Sequence, residues 1–175
     1  MARPARVRMT MDASGDPPKK PRRREATPAQ RALALLVRRE HSRKELTRKL
    51  LARGIPGEDA DAAVERMAKA GWQDDARFAC SLARTRATAG YGPLYIRAEL
   101  ATHGIGGHAI DAAFSSLAEA GEDDWRSRAR DLVERRLGSM AEASTTVQRN
   151  AADFLARRGF DGGTIGAVIR GLSDD

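Results

Sequence analysis

The sequence predicts an all-α protein of three tandem three-helix repeats that form an elongated, curved helical array. The pattern Leu-x-x-x-Gly followed by an apolar residue occurs three times, which is typical of repeated helical units. Ala, Leu, Arg and Glu dominate a chain of 175 residues with 5% aromatics, which favours helices. We find no β-branched runs that alternate with period two, so we predict no sheet. The predicted boundaries are a disordered basic tail at 1–26 and repeats at 27–72, 73–122 and 123–175.

Each copy of the repeated pattern predicts a helix end. In the first copy Leu50 is followed by Gly54 and Ile55, and equivalent copies begin at Leu100 and Leu155. A glycine just past a helix can adopt a left-handed backbone, and the apolar residue after it then packs back on the leucine. We therefore expect the same helix stop in every unit.

The predicted helix starts share an oxygen-bearing side chain that can accept hydrogen bonds from free backbone N–H groups. We predict capping boxes at Thr27–Gln30, Ser42–Glu45 and Thr145–Gln148, and single caps at Asp74 and Asp124. A third helix is expected from Glu58 to Ala70, whereas Gly106 and Gly107 suggest only a flexible turn.

The net charge of +7 is concentrated at the N-terminus. Residues 1–30 hold 8 Lys/Arg and 3 Asp/Glu, whereas residues 31–175 hold 23 and 21. A nucleic-acid interpretation of the sequence pI of about 10.3 therefore depends mostly on the tail.

Charge along the repeats alternates by helix group. Residues 31–53 carry 8 basic and 2 acidic side chains, and 99–125 carry 6 acidic and no Lys/Arg. For any single charged residue, an ion pair with a neighbouring helix explains the charge as well as binding to a partner does. The dense cluster of Arg38, Arg39, Arg43, Lys44 and Arg48 nevertheless suggests an acidic or phosphate-bearing partner.

Aromatic residues stand at two kinds of position. Tyr91 and Tyr95 flank a Gly-Pro turn among arginines, so they could stack on bases or anchor a protein interface. Packing of one tyrosine beneath the turn is an equal alternative. Trp72 and Trp125 lie between predicted units, where we expect them to pack at the junctions.

Catalytic and metal-binding patterns are weak, so we predict a non-enzymatic protein without a cofactor. His41 is distant in sequence from His103 and His108, and we expect all three to be exposed. The adjacent aspartates Asp74-Asp75 and Asp123-Asp124 are explained by helix capping at Asp74 and Asp124. Cys80 is expected to be packed or half-buried, since no histidine lies near it in sequence.

The single cysteine excludes an intrachain disulfide and fits a reducing cytoplasm. We find no apolar stretch of the roughly 20 residues needed to cross a bilayer, and no signal peptide. We therefore expect a cytoplasmic monomer that does not associate with membranes.

Four segments, in order, resemble the RecX family of bacterial RecA regulators. These segments are His41 to Leu46 with Lys49-Leu50, Asp74 to Ala79, Gly90 to Leu94 with Ile96 to Leu100, and Phe154 to Phe160, within a similarity that covers roughly 28–172. The family's fold is three tandem three-helix repeats, which agrees with the repeat pattern.

The resemblance implies binding to the RecA recombinase and its nucleoprotein filament, with inhibition of recombinase activity and no catalysis. Filament extension would be limited or disassembly promoted, which would regulate DNA repair, recombination and the SOS response; a weak direct contact with DNA is also expected. The predicted partner-binding residues are Arg38, Arg39, Arg43, Lys44, Arg48, Arg84, Arg86, Tyr91, Tyr95, Arg97, Arg157 and Arg158.

The main alternative is a direct DNA-binding protein. A helix, a glycine turn and a second helix in each unit could act as a helix-turn-helix motif. Against this, the helix that would read DNA carries Glu58, Asp59, Asp61 and Glu65, which would face phosphates unfavourably.

Overall fold

A computed structural model describes residues 25–138 and 144–171, and every regular element within them is a helix. The helices are α1 (Pro28–Leu36), α2 (Arg43–Leu51), α3 (Gly57–Lys69), α4 (Asp75–Thr88), α5 (Pro93–Thr102), α6 (Gly107–Glu119), α7 (Trp125–Leu137), α8 (Thr145–Arg157) and α9 (Gly162–Gly171). The predicted all-α class is confirmed. Most of the predicted tail, 1–26, lies outside the described residues.

Consecutive groups of three helices enclose separate hydrophobic cores. Leu46 and Leu50 are fully buried in the core of α1–α3, Ile96 and Leu100 in that of α4–α6, and Leu155 in that of α7–α9. Short helices of this length are marginal alone, so their stability comes from burying one apolar face against two neighbours. The prediction of three three-helix units is confirmed; we call these groups the first, second and third unit.

The repeated glycine stop has the predicted geometry. Gly54 has a φ of 76°, and the Ile55 amide donates to the Leu50 carbonyl over 3.3 Å. The copies that begin at Leu100 and Leu155 make the same backbone bond, at 3.2 and 3.1 Å. Each apolar residue after the glycine is buried, so the stop also contributes a side chain to the unit's core.

The predicted caps of α1, α4 and α7 are confirmed. Thr27 and Gln30 form the full capping box, and the carboxylates of Asp74 and Asp124 accept from backbone amides of α4 and α7. These contacts satisfy N–H groups that have no partner within the helix.

Three predictions about helix starts are wrong in detail. Ser42 caps α2, but the Glu45 side chain binds Arg39 instead of returning to the cap. The cap of α8 is Ser144 rather than Thr145, one residue earlier, because its hydroxyl accepts from the Val147 amide. Gly107 is the first residue of α6 and Gly106 is its cap, so this pair begins a helix rather than a flexible turn.

The first and second units meet where the end of α5 approaches the start of α2. Ser42 Oγ lies 3.3 Å from His103 Nδ1, and Lys44 Nζ donates to the Thr102 carbonyl over 3.0 Å. An ammonium group at a helix C-terminus also complements the negative end of the helix dipole. The middle helices of these units are therefore joined end to start.

The second and third units are also joined between the start of one middle helix and the end of another, here through backbone atoms. The amides of Gly92 and Leu94, at the start of α5, donate to the carbonyls of Arg158 and Gly159 at the end of α8, over 2.8 and 3.0 Å. Free donors of one helix thus satisfy free acceptors of another. The middle helices α8, α5 and α2 therefore meet end to start, in that order.

The two tryptophans differ from each other. Trp125 is half-buried, packs against the cores of both the second and the third unit, and lies 6.1 Å from the Phe114 ring, as predicted for a junction residue. Trp72 is 55% exposed, so the prediction that it packs at a junction is wrong. The turn after Gly71 directs it to solvent, and Gln73, only 3% exposed, occupies the junction instead.

Candidate partner-binding surface

Several predicted arginines of the first unit are held by carboxylates. Arg39 makes a bidentate contact with Glu45, at 2.5 and 3.1 Å, and Arg43 pairs with Glu65 of α3. The charge alternation seen in the sequence is therefore partly internal pairing between neighbouring helices.

The second unit shows the same arrangement. Arg86 binds Glu99 through two bonds of 2.6 Å, and Arg97 lies 2.8 Å from Asp111. Arg84 reaches Glu122, just beyond α6, at 2.9 Å. Since these arginines arise from α4 and α5 and their carboxylates from α5, α6 and the turn after it, the ion pairs connect helices within the repeat. Exposed pairs such as Arg97 and Asp111 typically stabilise a fold by less than about 1 kcal/mol, whereas Arg86 and Glu99 are half-buried.

Three predicted arginines have exposed side chains that make no internal contact. The side chains of Arg38, Arg48 and Arg157 form no ion pair and no hydrogen bond with the part of the chain that the structure describes. Arg38 follows α1, Arg48 lies in α2, and Arg157 ends α8. These side chains can meet an external anion without first breaking an internal contact.

An aromatic and cationic stack lies where the second and third units meet. The rings of Tyr91 and Tyr95 are stacked at 4.3 Å, and Arg158 lies over Tyr91 at 4.7 Å and over Phe154 at 5.4 Å. Arg136 covers Phe154 at 4.9 Å. Tyr91 packs on the core of the second unit, whereas Tyr95 remains 37% exposed. The stack both joins two units and presents one tyrosine to solvent.

A buried ionisable cluster at the first junction was missed by sequence reasoning. His41 is 2% exposed, and its Nδ1 lies 2.9 Å from Oε2 of Glu45, which is 5% exposed. The prediction of an exposed His41 is therefore wrong, because the chain between α1 and α2 turns it into the junction. The spacing of four residues between His41 and Glu45 is the signal that could have revealed the contact.

Hydrogen bonds decide the ionisation of this cluster. Burial opposes the charged form of Glu45, but bonds from Arg39 and His41 outweigh it and lower the pKa of Glu45 to about 2. Burial lowers the pKa of His41, despite the neighbouring carboxylate. Glu45 is thus an anion that holds Arg39, and Lys49 at 3.3 Å, around the junction.

A cleft of about 410 Å³ lies between the first two units. Its walls carry the Arg39–Glu45 and Arg86–Glu99 pairs, with His103 and Phe78 between them. Because each arginine is matched by a carboxylate, the cleft is close to charge balance and is a weak attractor for a charged ligand. The described residues contain no group of His, Cys, Asp or Glu that could hold a metal ion. They also contain no helix that is long and apolar enough to cross a bilayer.

The fold and this surface define a class of protein: a tandem array of three-helix repeats with exposed arginines on separate units. Family models match each unit in order. Residues 30–67 match the first three-helix domain of RecX, residues 74–113 the second and residues 122–169 the third. The chain belongs to the RecX family.

Curated relatives agree over most of the length. The regulatory protein RecX of Stenotrophomonas maltophilia strain R551-3 is 59% identical over 157 residues, which is 90% of this chain and 94% of the relative. The regulatory protein RecX of Xanthomonas axonopodis pv. citri strain 306 is 56% identical, with 91% and 97% covered. The resemblance identified from the sequence is confirmed, and the family's members are regulatory proteins.

A solved structure shares the fold. The crystal structure of RecX from Lactobacillus salivarius superposes with a TM-score of 0.67 at 21% identity, covering 83% of this chain and 94% of that one. At this identity the similarity concerns the fold alone.

Proposed function

We propose that this chain is a non-enzymatic regulator that binds RecA and RecA–DNA filaments and inhibits recombinase activity. Inhibition would limit filament extension or promote disassembly, and so regulate DNA repair and recombination in the cytoplasm, including the SOS response. Membership of the RecX family supports the role. The observation that carries it is the set of exposed arginines whose side chains make no internal contact with the described residues, Arg38, Arg48 and Arg157 on the first and third units.

Separate units suit a polymeric partner. A repeat array can offer equivalent side chains to successive subunits of a filament, so several weak contacts act together. Arginine forks bind carboxylates and phosphates in two-point contacts. The paired arginines, such as Arg43 and Arg97, would contribute less, because binding an external anion requires them to leave Glu65 and Asp111.

The exposed tyrosine extends this surface. Tyr95 stacks on Tyr91 next to Arg158, so a base or an aromatic side chain of the partner could continue the stack. Both proposed contact types, arginine and aromatic, therefore meet at the second junction.

The primary experiment is a titration of the single-stranded-DNA-dependent ATPase of the cognate RecA with this protein after filaments have formed. Inhibition at substoichiometric amounts is expected, because a regulator that stops growth or removes protomers affects many subunits. An ATPase that is unchanged at a stoichiometric excess, with tight binding to bare DNA, would replace this proposal with the DNA-binding alternative.

A charge-reversal variant tests the surface. Replacing Arg38, Arg48 and Arg157 with Glu should raise the concentration needed for half-inhibition at least tenfold, while the helical circular dichroism stays unchanged. The matched control reverses three other exposed arginines, Arg66, Arg135 and Arg149. Full inhibition by the first variant, or an equal loss in the control, would reject the assigned surface.

A further inference from the structure

Three arginines of the first unit surround one shallow pocket. Arg31 lies in α1, Arg38 follows that helix, and Arg53 follows α2; together with Ala34 and Leu35 they line a concavity of about 370 Å³. Arg31 and Arg38 are seven residues apart, which places them on the same side of the helical path two turns apart. Arg53 approaches from the other helix.

One lining residue of this pocket belongs to a hydrophobic core. Leu35 is 7% exposed and packs in the core of the first unit, with Leu46 and Leu50. The pocket therefore lies against packed structure, while long arginine side chains can extend their charged ends into solvent.

The pocket differs electrostatically from the cleft between the first two units, where carboxylates accompany the arginines. None of its five described lining residues is acidic. Arg31 Nε donates to the Ala26 carbonyl over 3.0 Å and Arg53 Nη1 to the Lys49 carbonyl over 3.3 Å, so both bonds leave the positive charges unneutralised. The Arg38 side chain makes no hydrogen bond or ion pair with any residue described. By contrast, Arg39, a neighbour in sequence, is held by Glu45.

Three arginines around one pocket with no carboxylate in its lining make the pocket electropositive. Like charges that line one concavity repel one another, and an anion bound there would relieve the repulsion. A planar carboxylate is satisfied by one bidentate arginine. Arginines that approach from two different helices suit a tetrahedral group, which accepts hydrogen bonds in several planes.

We propose that Arg31, Arg38 and Arg53 form a subsite for the phosphate backbone of a single-stranded nucleic acid. The inference rests on the proposed function, since a filament on single-stranded DNA would supply that backbone, and it adds a direct phosphate contact through Arg31 and Arg53. The subsite reads no sequence, because phosphate contacts fix position rather than base identity.

The test measures binding of a labelled oligothymidylate to the full chain without RecA, over a range of salt concentrations. Replacing the three arginines with Gln should weaken binding at least tenfold at low salt. It should also reduce the slope of log affinity against log salt by about 2, since each single-strand phosphate contact contributes about 0.7. The control triple R66Q, R135Q and R149Q should leave the slope within about 0.7 of the parent value. A slope that is unchanged in the pocket variant, or reduced equally in the control, overturns the subsite.

Two further measurements keep the result decisive. The single variants R38Q and R53Q should each lower the slope by about 0.7. They test the subsite even if the triple variant folds poorly. Competition with polyglutamate and with ATP identifies the anion, when each competitor is added at a concentration of negative charge equal to that of the oligonucleotide. Displacement of the oligonucleotide by polyglutamate overturns the assignment to phosphate. Displacement by ATP overturns the assignment to a nucleic-acid strand.

The two proposals fail separately. If the parent chain leaves the RecA ATPase unchanged while R31Q/R38Q/R53Q lowers the slope, the proposed function fails and the subsite stands. If the parent chain inhibits the ATPase and the slope is insensitive to the substitutions, the subsite fails and the function stands.

Discussion

The Leu94 amide donates to the Gly159 carbonyl across 3.0 Å, which joins the start of α5 to the end of α8. The neighbouring Gly92 amide makes the same kind of bond to Arg158. These contacts connect the second and third units through backbone atoms, so they depend on close approach rather than on particular side chains. Glycine is needed at the contact because a side chain would fill the space between the two backbones.

Gly92→Ala should loosen this junction. A Cβ at Gly92 would collide with the backbone of Gly159 and Phe160, and the backbone cannot move aside as a side chain could. We expect a loss of about 1–3 kcal/mol in the free energy of unfolding, the usual range for overpacking. The measurement is chemical denaturation followed by circular dichroism.

Gly106→Ala is the matched control. Gly106 caps α6 as Gly92 caps α5, and a Cβ there has no heavy atom within 4 Å. Both changes share the small preference for glycine over alanine at a helix cap. Equal losses in the two variants would show that capping, and not the approach of α8, makes Gly92 necessary.

Acidification should weaken the junction between the first and second units in two phases. The pKa of His41 is lowered on folding, so the unfolded chain takes up its proton first and stability falls below about pH 6.5. The pKa of Glu45 falls to about 2, so its contribution is present above the unfolded value of about 4.5 and is lost as the pH falls toward 2.

Glu45→Gln should reduce the lower phase, and the rest of that phase comes from other carboxylates with a lowered pKa, such as Asp74 and Glu99. It should also lower stability at neutral pH by about 1–3 kcal/mol, because Arg39 and His41 lose a charged acceptor. Thermal unfolding between pH 2 and 8 gives the comparison. The exposed Glu65→Gln is the control and should keep both phases. Parallel pH profiles for parent and Glu45→Gln would contradict the role of the cluster.

Leu50→Ala should destabilise the first unit by about 2–5 kcal/mol. Leu50 is fully buried and receives the backbone bond from Ile55, so its removal leaves a cavity beneath the helix stop. The adjacent Leu51 is 46% exposed, and Leu51→Ala should change stability by less than about 1 kcal/mol. Urea midpoints of the two variants provide the measurement, and similar midpoints would contradict the assigned core.

A double-mutant cycle should separate structural from partner-binding arginines. Arg86 and Glu99 form two bonds of 2.6 Å in a half-buried site, so we expect a coupling of about 1–2 kcal/mol. Arg97 and Asp111 are more exposed and should couple by less than about 0.5 kcal/mol. A coupling near zero for Arg86 and Glu99, together with lost RecA inhibition in Arg86→Gln, would return Arg86 to the partner surface.

Local patterns in the sequence were enough to predict the three units. Leu50 and Gly54 are close along the chain, and the helix stop they form depends on interactions within a few residues. The same holds for the cap at Asp74. The local pattern does not fix the start of α8 to one residue, because adjacent Ser144 and Thr145 can cap a helix almost equally well.

Sequence alone determined the helical class, the repeat and the existence of basic helices. Only the tertiary structure decided which charges remain free. Arg38 and Arg39 are adjacent in the chain, yet Arg39 is held by Glu45 while Arg38 faces an acid-free pocket. Ion pairs form between side chains within about 4 Å in space, and that distance is set by how helices pack rather than by their order along the chain. For the same reason His41 and His103 lie at one junction although they are far apart in sequence. Ser42, next to His41 in the chain, contacts His103, and Gln73 contacts the His41 carbonyl.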